Sequence, residues 1–384
     1  MTAFYLGSKH WKPAILQDLV FLQRGFDITK AEQKDGEVPV ISSSGPSSWH
    51  SEAMVEGPGV VIGRKGSLGT VHYSENAYWP HDTTLWSKSL NGNNPRFVYY
   101  ALKCLGLERF NVGGANPTLN RNHIHSLPIY LADRKTQDNV ASWLVAYDDL
   151  IENNRRRITL LEEAARMLYR EWFVHFRFPG HEHVNITDGL PEGWERVSAS
   201  EAFEVNPPTP RDDDGIITYV PMASLSEVGM VIDQAPLEGR QESTSVRFQN
   251  GDTLFARITP CLENGKTGFV QFLADGEVAC GSTEFIVLRE RRVSRFYVYL
   301  TAREPAFREN AVRSMIGSSG RQRVQSSCFD RYFVAVPPET LRTIFDDSVG
   351  GMFKQVANLD NQNRKLAQAR DLLLPRLMNG EIVV

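Results

Sequence analysis

Cysteine is scarce in this chain, and what there is does not cluster. Cys104, Cys261, Cys280 and Cys328 lie far apart and form no Cys-x-x-Cys pair, which excludes a disulfide framework and leaves buried or inert thiols. Long hydrophobic runs are missing: no stretch approaches the ~18 apolar residues of a membrane helix, and no opening segment joins basic residues to an apolar core. A cytoplasmic protein without membrane contact is the expectation. An excess of positive charge is missing too. With 42 Lys and Arg against 46 Asp and Glu, the net charge of −4 argues against indiscriminate coating of nucleic acid.

Catalytic constellations are equally thin. Asn206-Pro207-Pro208-Thr209 approaches the Asn-Pro-Pro-aromatic tetrapeptide of amino-methyltransferases, but Thr209 offers no ring on which a flipped base could stack, and no glycine-rich cofactor turn precedes it. Gly265-Lys266-Thr267 resembles the end of a phosphate-binding loop. Pro260 stands where that loop needs glycine and removes a backbone donor. The pairs His123/His125 and His181/His183 lack further ligands to close a metal sphere and read as solvated loop histidines. Asp212-Asp213-Asp214 is a like-charge run beside prolines, a solvated loop rather than a magnesium site. No enzyme activity, cofactor or metal is expected.

What is present is an internal repeat. The strand-like run Ile124-His-Ser-Leu-Pro-Ile-Tyr130 lies 205 positions before Phe329-Asp-Arg-Tyr-Phe-Val-Ala335, and the same offset carries Leu161 onto Leu366, Ala164 onto Ala369 and Leu168 onto Leu373. Upstream, matching Trp11 with Trp194 needs an offset of 183. The second copy therefore carries extra residues in its variable part.

Each half ends in a heptad pattern. Val140, Leu144, Tyr147, Ile151, Asn154, Ile158, Leu161, Ala165, Leu168 and Trp172 alternate steps of four and three, as do Phe345, Val349, Met352, Val356, Leu359, Asn363, Leu366, Arg370, Leu373 and Leu377. Mutual pairing of two long helices is the expectation, with separate packing of each on its own domain as the alternative. Pro179-Gly180 and the run Gly189-Leu-Pro-Glu-Gly-Trp194 read as a linker. Short apolar runs such as Gly59-Val-Val-Ile62 and Glu284-Phe-Ile-Val-Leu288, separated by turn residues, predict strands, and 95–105 and 293–312 predict helices.

The order of globular part, long helix ending Leu168-Tyr-Arg-Glu-Trp-Phe173, linker Leu190-Pro-Glu-Gly-Trp194, second globular part and helix Leu373-Leu-Pro-Arg-Leu-Met-Asn-Gly-Glu381 resembles the specificity subunits of type I restriction-modification systems. The resemblance implies an α+β fold of two globular target-recognition domains in tandem repeat (1–133 and 194–338). They would be separated by two long antiparallel coiled-coil helices (134–178 and 339–384) with pseudo-two-fold symmetry, and joined by a linker (179–193). It further implies a non-catalytic reader of a bipartite double-stranded DNA site that docks methyltransferase subunits, two of them, and through the complex restriction subunits, ATP-dependent translocase-nucleases. A stand-alone DNA adenine methyltransferase and a protein-binding coiled-coil scaffold remain as alternatives.

Recognition chemistry is then sought in matched loops. Residues 113–122 and 317–325 occupy equivalent positions at the 205 offset, and Arg64-Lys-Gly-Ser67 matches Arg257-Ile-Thr259 after an apolar strand. Arginine pairs with guanine and Asn or Gln with adenine, while glycine-rich turns let the backbone approach phosphate. The candidates are Arg64, Lys65, Ser67, Asn116, Thr118, Asn120, Arg121 and Asn122 in the first repeat. In the second they are Arg257, Thr259, Arg313, Ser318, Ser319, Arg321, Gln322, Arg323 and Gln325. Ten arginines against four acids between Arg289 and Arg331 add a phosphate-sized footprint, with a solvated arginine-rich helix face as the alternative.

One asparagine in each seam, Asn154 and Asn363, suggests a register device, since a buried amide is costly opposite leucine. Facing them sets partner numbers to a sum near 517, which places Trp172 against Phe345 and Tyr147 against Arg370, where the guanidinium would stack on the ring.

Overall fold

The computed structural model describes residues 7, 8, 10–110, 118–211, 215–241, 245–318 and 320–384. Asn116, Ser319 and the run Asp212-Asp213-Asp214 lie outside them. The chain forms two compact units, residues 1–151 with 364–384 and residues 152–363. Neither boundary falls at a helix end: each unit takes one globular part together with a stretch of each long helix.

In the first unit a four-stranded antiparallel sheet runs in the order Phe21–Arg24, Thr84–Ser89, Gly59–Gly63, Val71–Ser74. Gly45–His50, Val38–Ser42 and Trp79–Pro80 form a smaller sheet, and Lys12–Ile15 pairs antiparallel with Pro128–Leu131. The helix Pro95–Cys104 starts where Pro95 needs no donor and the Asn94 side chain accepts from Phe97 N. It buries Phe97, Val98, Ala101 and Leu102. Val60, Ile62 and Leu85 from the sheet share that core with Val140 and Leu144 of the first long helix and Leu374 and Leu377 of the second. The domain's apolar core therefore includes the spacer helices.

The second unit repeats the plan. Its sheet order is Phe203–Val205, Phe285–Glu290, Thr253–Ala256, Thr267–Phe269, and Glu195–Ser198 pairs antiparallel with Phe333–Val336. A second sheet of four, Glu238–Arg240, Ile217–Val220, Val278–Gly281 and Val246–Gln249, is larger than its counterpart. This is where the longer copy spends its extra residues. Instead of one helix over 293–312 there are two, Arg295–Arg303 and Pro305–Arg313. Proline cannot donate and pushes the preceding residue out of the helical region, and Glu304 accordingly sits at ψ 134.

The long helices are Arg134–Tyr169, continued by a π-turn at Arg170–Val174, and Glu339–Met378. They run antiparallel. In the first unit Asn139 Nδ2 donates to Val384 O at 3.2 Å and Arg370 Nη1 meets Asp148 Oδ1 at 2.6 Å. In the second, the Trp172 and Phe345 rings lie 5.6 Å apart, and Phe173 and Phe345 4.6 Å apart. Two details differ from the sequence reading. Arg370 takes the Asp148 carboxylate, itself accepting from Tyr100 Oη at 2.5 Å, so a charge partner replaces stacking on Tyr147. Asn154 is buried, but Asn363 Oδ1 is buried without a hydrogen-bond partner, so it accepts nothing from Asn154.

Glu162 is a buried carboxylate on the first long helix. Its oxygens accept from Tyr299 Oη at 2.6 Å, from Met230 N at 2.7 Å and from Arg166. Those donors keep an otherwise costly charge solvated by protein and fix the second globular part on its helix.

Candidate functional site

The two repeats build one backbone frame twice. After the strand Gly59–Gly63, Arg64 N donates to Thr83 O at 2.9 Å and Arg64 O accepts from Leu119 N at 2.9 Å. After Thr253–Ala256, Arg257 N donates to Glu284 O at 3.0 Å and Arg257 O accepts from Val324 N at 2.8 Å. Single bridges join Lys65 to Thr118 in one copy and Ile258 to Arg323 in the other. Strand pairing keeps the match, since Gly63 opposes Thr84 as Ala256 opposes Phe285. Residue by residue, therefore, Arg64 matches Arg257, Thr83 matches Glu284, and Thr118 matches Arg323.

Each frame presents an arginine with unused donors. Arg64 Nη1 and Arg257 Nε are buried and make no hydrogen bond. A buried donor left unpaired costs free energy in the isolated protein, which makes both side chains candidates to meet a ligand. Burial lowers the pKa of Arg64 and the neighbouring Arg24 adds to the effect, against the pull of Asp82. In the first repeat Gln23, Arg24, Arg64, Thr118, Asn120 and Arg121 line a cleft of about 440 Å³. Arg24 is held by Asp82 at 2.7 Å, while the Arg121 side chain pairs with no acid among the described residues.

The other candidates divide into residues bonded within the local framework and residues exposed at the surface. Asn120 caps the short helix Arg121–His125, its Oδ1 accepting from Asn122 N at 3.0 Å. Thr259 and Gln322 bind each other, Thr259 N to Gln322 O and Gln322 N to Thr259 Oγ1, both at 3.1 Å. The Ser67 carbonyl accepts from Thr70 Oγ1 at 3.0 Å. Arg313 lies on a helix near Glu309 at 3.6 Å. Lys65, Asn122, Ser318, Arg321 and Gln325 are exposed. Arg323 is engaged by Glu284, with Nε 2.9 Å from both carboxylate oxygens and Nη2 2.6 Å from Oε1.

The arginine footprint shrinks in three dimensions. Arg289 is bidentate to buried Asp252, Arg292 bridges Glu195 and Glu201, and Arg303 donates to the carbonyls of Gly265 and Glu227. All three are engaged within the chain, Arg292 at the surface. His125 is not solvated either. It is buried, and its Nε2 accepts from Leu22 N at 3.0 Å, which requires that nitrogen to be unprotonated.

Sequence reasoning missed Gln23, Arg24 and Glu284. The signal for Glu284 was present, since it directly precedes a strand as Thr83 does. It also missed that Asp27, His81 and Asp82 bring ligand atoms within 4.8 Å of one another. One of the Asp82 oxygens is taken by Arg24 at 2.7 Å. Asn206 is no amine clamp: its N and Oδ1 pair with Val287 O and N at 2.7 and 3.0 Å, and Thr209 Oγ1 accepts from Arg289. No helix of the described residues is long and apolar enough to cross a membrane.

Residues 8–163 match the model of the type I restriction modification DNA specificity domain. The chain is 34% identical over 156 residues to the type I restriction enzyme EcoEI specificity subunit of Escherichia coli, an alignment that spans 39% of this chain and 26% of that protein. It is 23% identical over 305 residues to the MjaIX specificity subunit of Methanocaldococcus jannaschii, 75% of this chain and 69% of that one. In fold it is similar to the type I restriction-modification S subunit from M. genitalium, with a TM-score of 0.59 at 14% identity and 96% of each chain covered. Residues 8–163 are thus similar to the type I restriction modification DNA specificity domain, and a longer stretch of the chain is similar to specificity subunits of type I restriction enzymes.

Proposed function

We propose that this chain reads a bipartite DNA site for a type I restriction-modification complex, each repeat reading one half and neither carrying chemistry of its own. The observation that supports this is the doubled frame, with Arg64 and Arg257 at matching places and each holding an unpartnered buried nitrogen. Reading two different half-sites calls for one scaffold with two sets of side chains, and such a pair of frames supplies it. Methyl transfer and ATP-driven cleavage belong to partner subunits.

The docking surface for methyltransferase subunits, two in this reading, is the long helices. Leu160, Met167 and Val174 stand 63%, 67% and 49% exposed at seven-residue spacing, and Leu372, matching Met167 at the 205 offset, is 65% exposed. A heptad-spaced apolar stripe in water is the face a partner helix covers.

The test is selection from duplexes carrying randomised blocks, by the full chain with and without its methyltransferase partner. Two short fixed blocks separated by a spacer of constant length are expected, with methylated adenine only when the partner is present. Enrichment of no motif, or methyl transfer by the pure chain, overturns the reading.

A further inference from the structure

We propose that Glu284 is a positioning residue that turns Arg323 into a guanine reader in the second repeat, an inference that rests on the DNA-reading function above. A guanidinium has five N–H donors in a plane, arranged as two forks. Glu284 occupies the side fork, taking Nε at 2.9 Å and Nη2 at 2.6 Å. The end fork, one N–H from each of Nη1 and Nη2, is left in the same plane. Two parallel donors match the O6 and N7 acceptors that guanine presents in the major groove.

The side chain is prepared for that task. Its backbone is fixed by a reciprocal pair with Ile316, Arg323 N to Ile316 O at 3.0 Å and Ile316 N to Arg323 O at 3.1 Å, and by the bridge to Ile258. Arg323 remains 46% exposed while Glu284 is only 21% exposed, so the acid lies beneath and the cation faces outward. An ion pair this exposed contributes little to folding, so stability does not account for it.

The first repeat argues the same point. At the matching positions it holds Thr118 and Thr83, yet the frame's backbone hydrogen bonds are kept. Acid and base are absent together, and the architecture does not miss them. The pair therefore belongs to what the second repeat recognises, and the first repeat recognises something else.

The experiment uses the full chain in complex with its methyltransferase partner and the same randomised duplexes, comparing wild type with Arg323→Ala, Arg323→Lys and Glu284→Gln. Wild type should fix a G·C pair in one block that Arg323→Ala no longer selects, with affinity for the wild-type duplex falling about ten- to hundredfold. Arg323→Lys keeps the charge but not the fork and should lose the same preference. Glu284→Gln should weaken selection at that one base pair severalfold, leaving selection in the other block and the melting temperature unchanged. A purely structural Glu284 would instead lower the melting temperature or weaken binding to every duplex alike. Unchanged base preference in all three variants overturns the assignment and leaves the DNA-reading function standing. A wild-type complex that selects no motif overturns both.

Discussion

Set side by side, the two recognition frames differ by exchange of whole pairs rather than by scattered substitution. Where the second repeat has Arg323 on Glu284, the first has Thr118 and Thr83. Where the second buries Asp252 against Arg289, the first has Gly59 and the exposed Lys88. The hydrogen bonds that shape the turn run through backbone atoms in both copies. In the proposed reading, recognition rests on side-chain pairs set on a shared backbone frame, and local stability in the second repeat rests on the Asp252–Arg289 pair.

The comparison breaks most visibly at Asp252. Its carboxylate is 1% exposed, burial pushes its pKa up against the bonds from Arg289, and both Arg289 contacts are 2.7 Å. Asp252→Ala leaves a guanidinium only 17% exposed without its partner. A loss of about 3–5 kcal/mol is expected, confined to the second unit. Hydrogen exchange resolved by peptide checks it: equal loosening of both units would show that the pair is not a local element of the second repeat.

A smaller effect sharpens the match between Arg64 and Arg257. Each alanine variant should weaken DNA binding by about 1–3 kcal/mol and relax one half-site, Arg64→Ala the first repeat's and Arg257→Ala the second's. Competition binding against duplexes altered in one half at a time reads this out. Relaxation of both halves by either variant would sink the division of labour.

The smallest expected effect is a pH dependence of the first unit set by His125. Burial, with the charge of Arg121 adding to it, lowers the pKa of His125 below 6.5. A folded-state pKa below the unfolded value means that the unfolded chain takes up the proton first. The stabilisation from neutral His125 is therefore complete above pH 6.5 and drains away as pH falls through the folded-state value. The second repeat has Asp330 at the matching place, exposed and accepting from Ser200 Oγ. Thermal unfolding between pH ~7.5 and ~5.5 should show an acid-labile first unit. His125→Gln, which keeps an acceptor for Leu22 N, should remove the dependence.

The repeat, the strand and helix order and the antiparallel seam were legible because they are written in spacing. Steps of three and four locate Trp172 and Phe345, and the 205 offset pairs the loops. Pro305 broke the expected 293–312 helix by a rule readable in the sequence, once its effect on Glu304 is considered. What stayed hidden was chemistry between distant residues. Arg289 meets Asp252 across 37 positions, Arg323 meets Glu284 across 39, and Arg292 meets Glu195 across 97. No local pattern announces such partners, so a cluster of arginines read as one free outward face although Arg289, Arg292 and Arg303 are engaged within the chain. His125 was misplaced for the same reason: its partner is the backbone of Leu22, and a backbone donor has no sequence signature.

The attachment of each loop through Arg64 O and Arg257 O has an evolutionary reading. A peptide carbonyl is indifferent to which residue supplies the N–H it accepts, so Leu119 and Val324 serve equally well. The bonds to Arg64 O and Arg257 O therefore place no demand on the side chains at positions 118 and 323. In the proposed reading, an exchanged loop would keep its backbone docking contacts, while side-chain contacts such as Gln322 N to Thr259 Oγ1 would have to be remade.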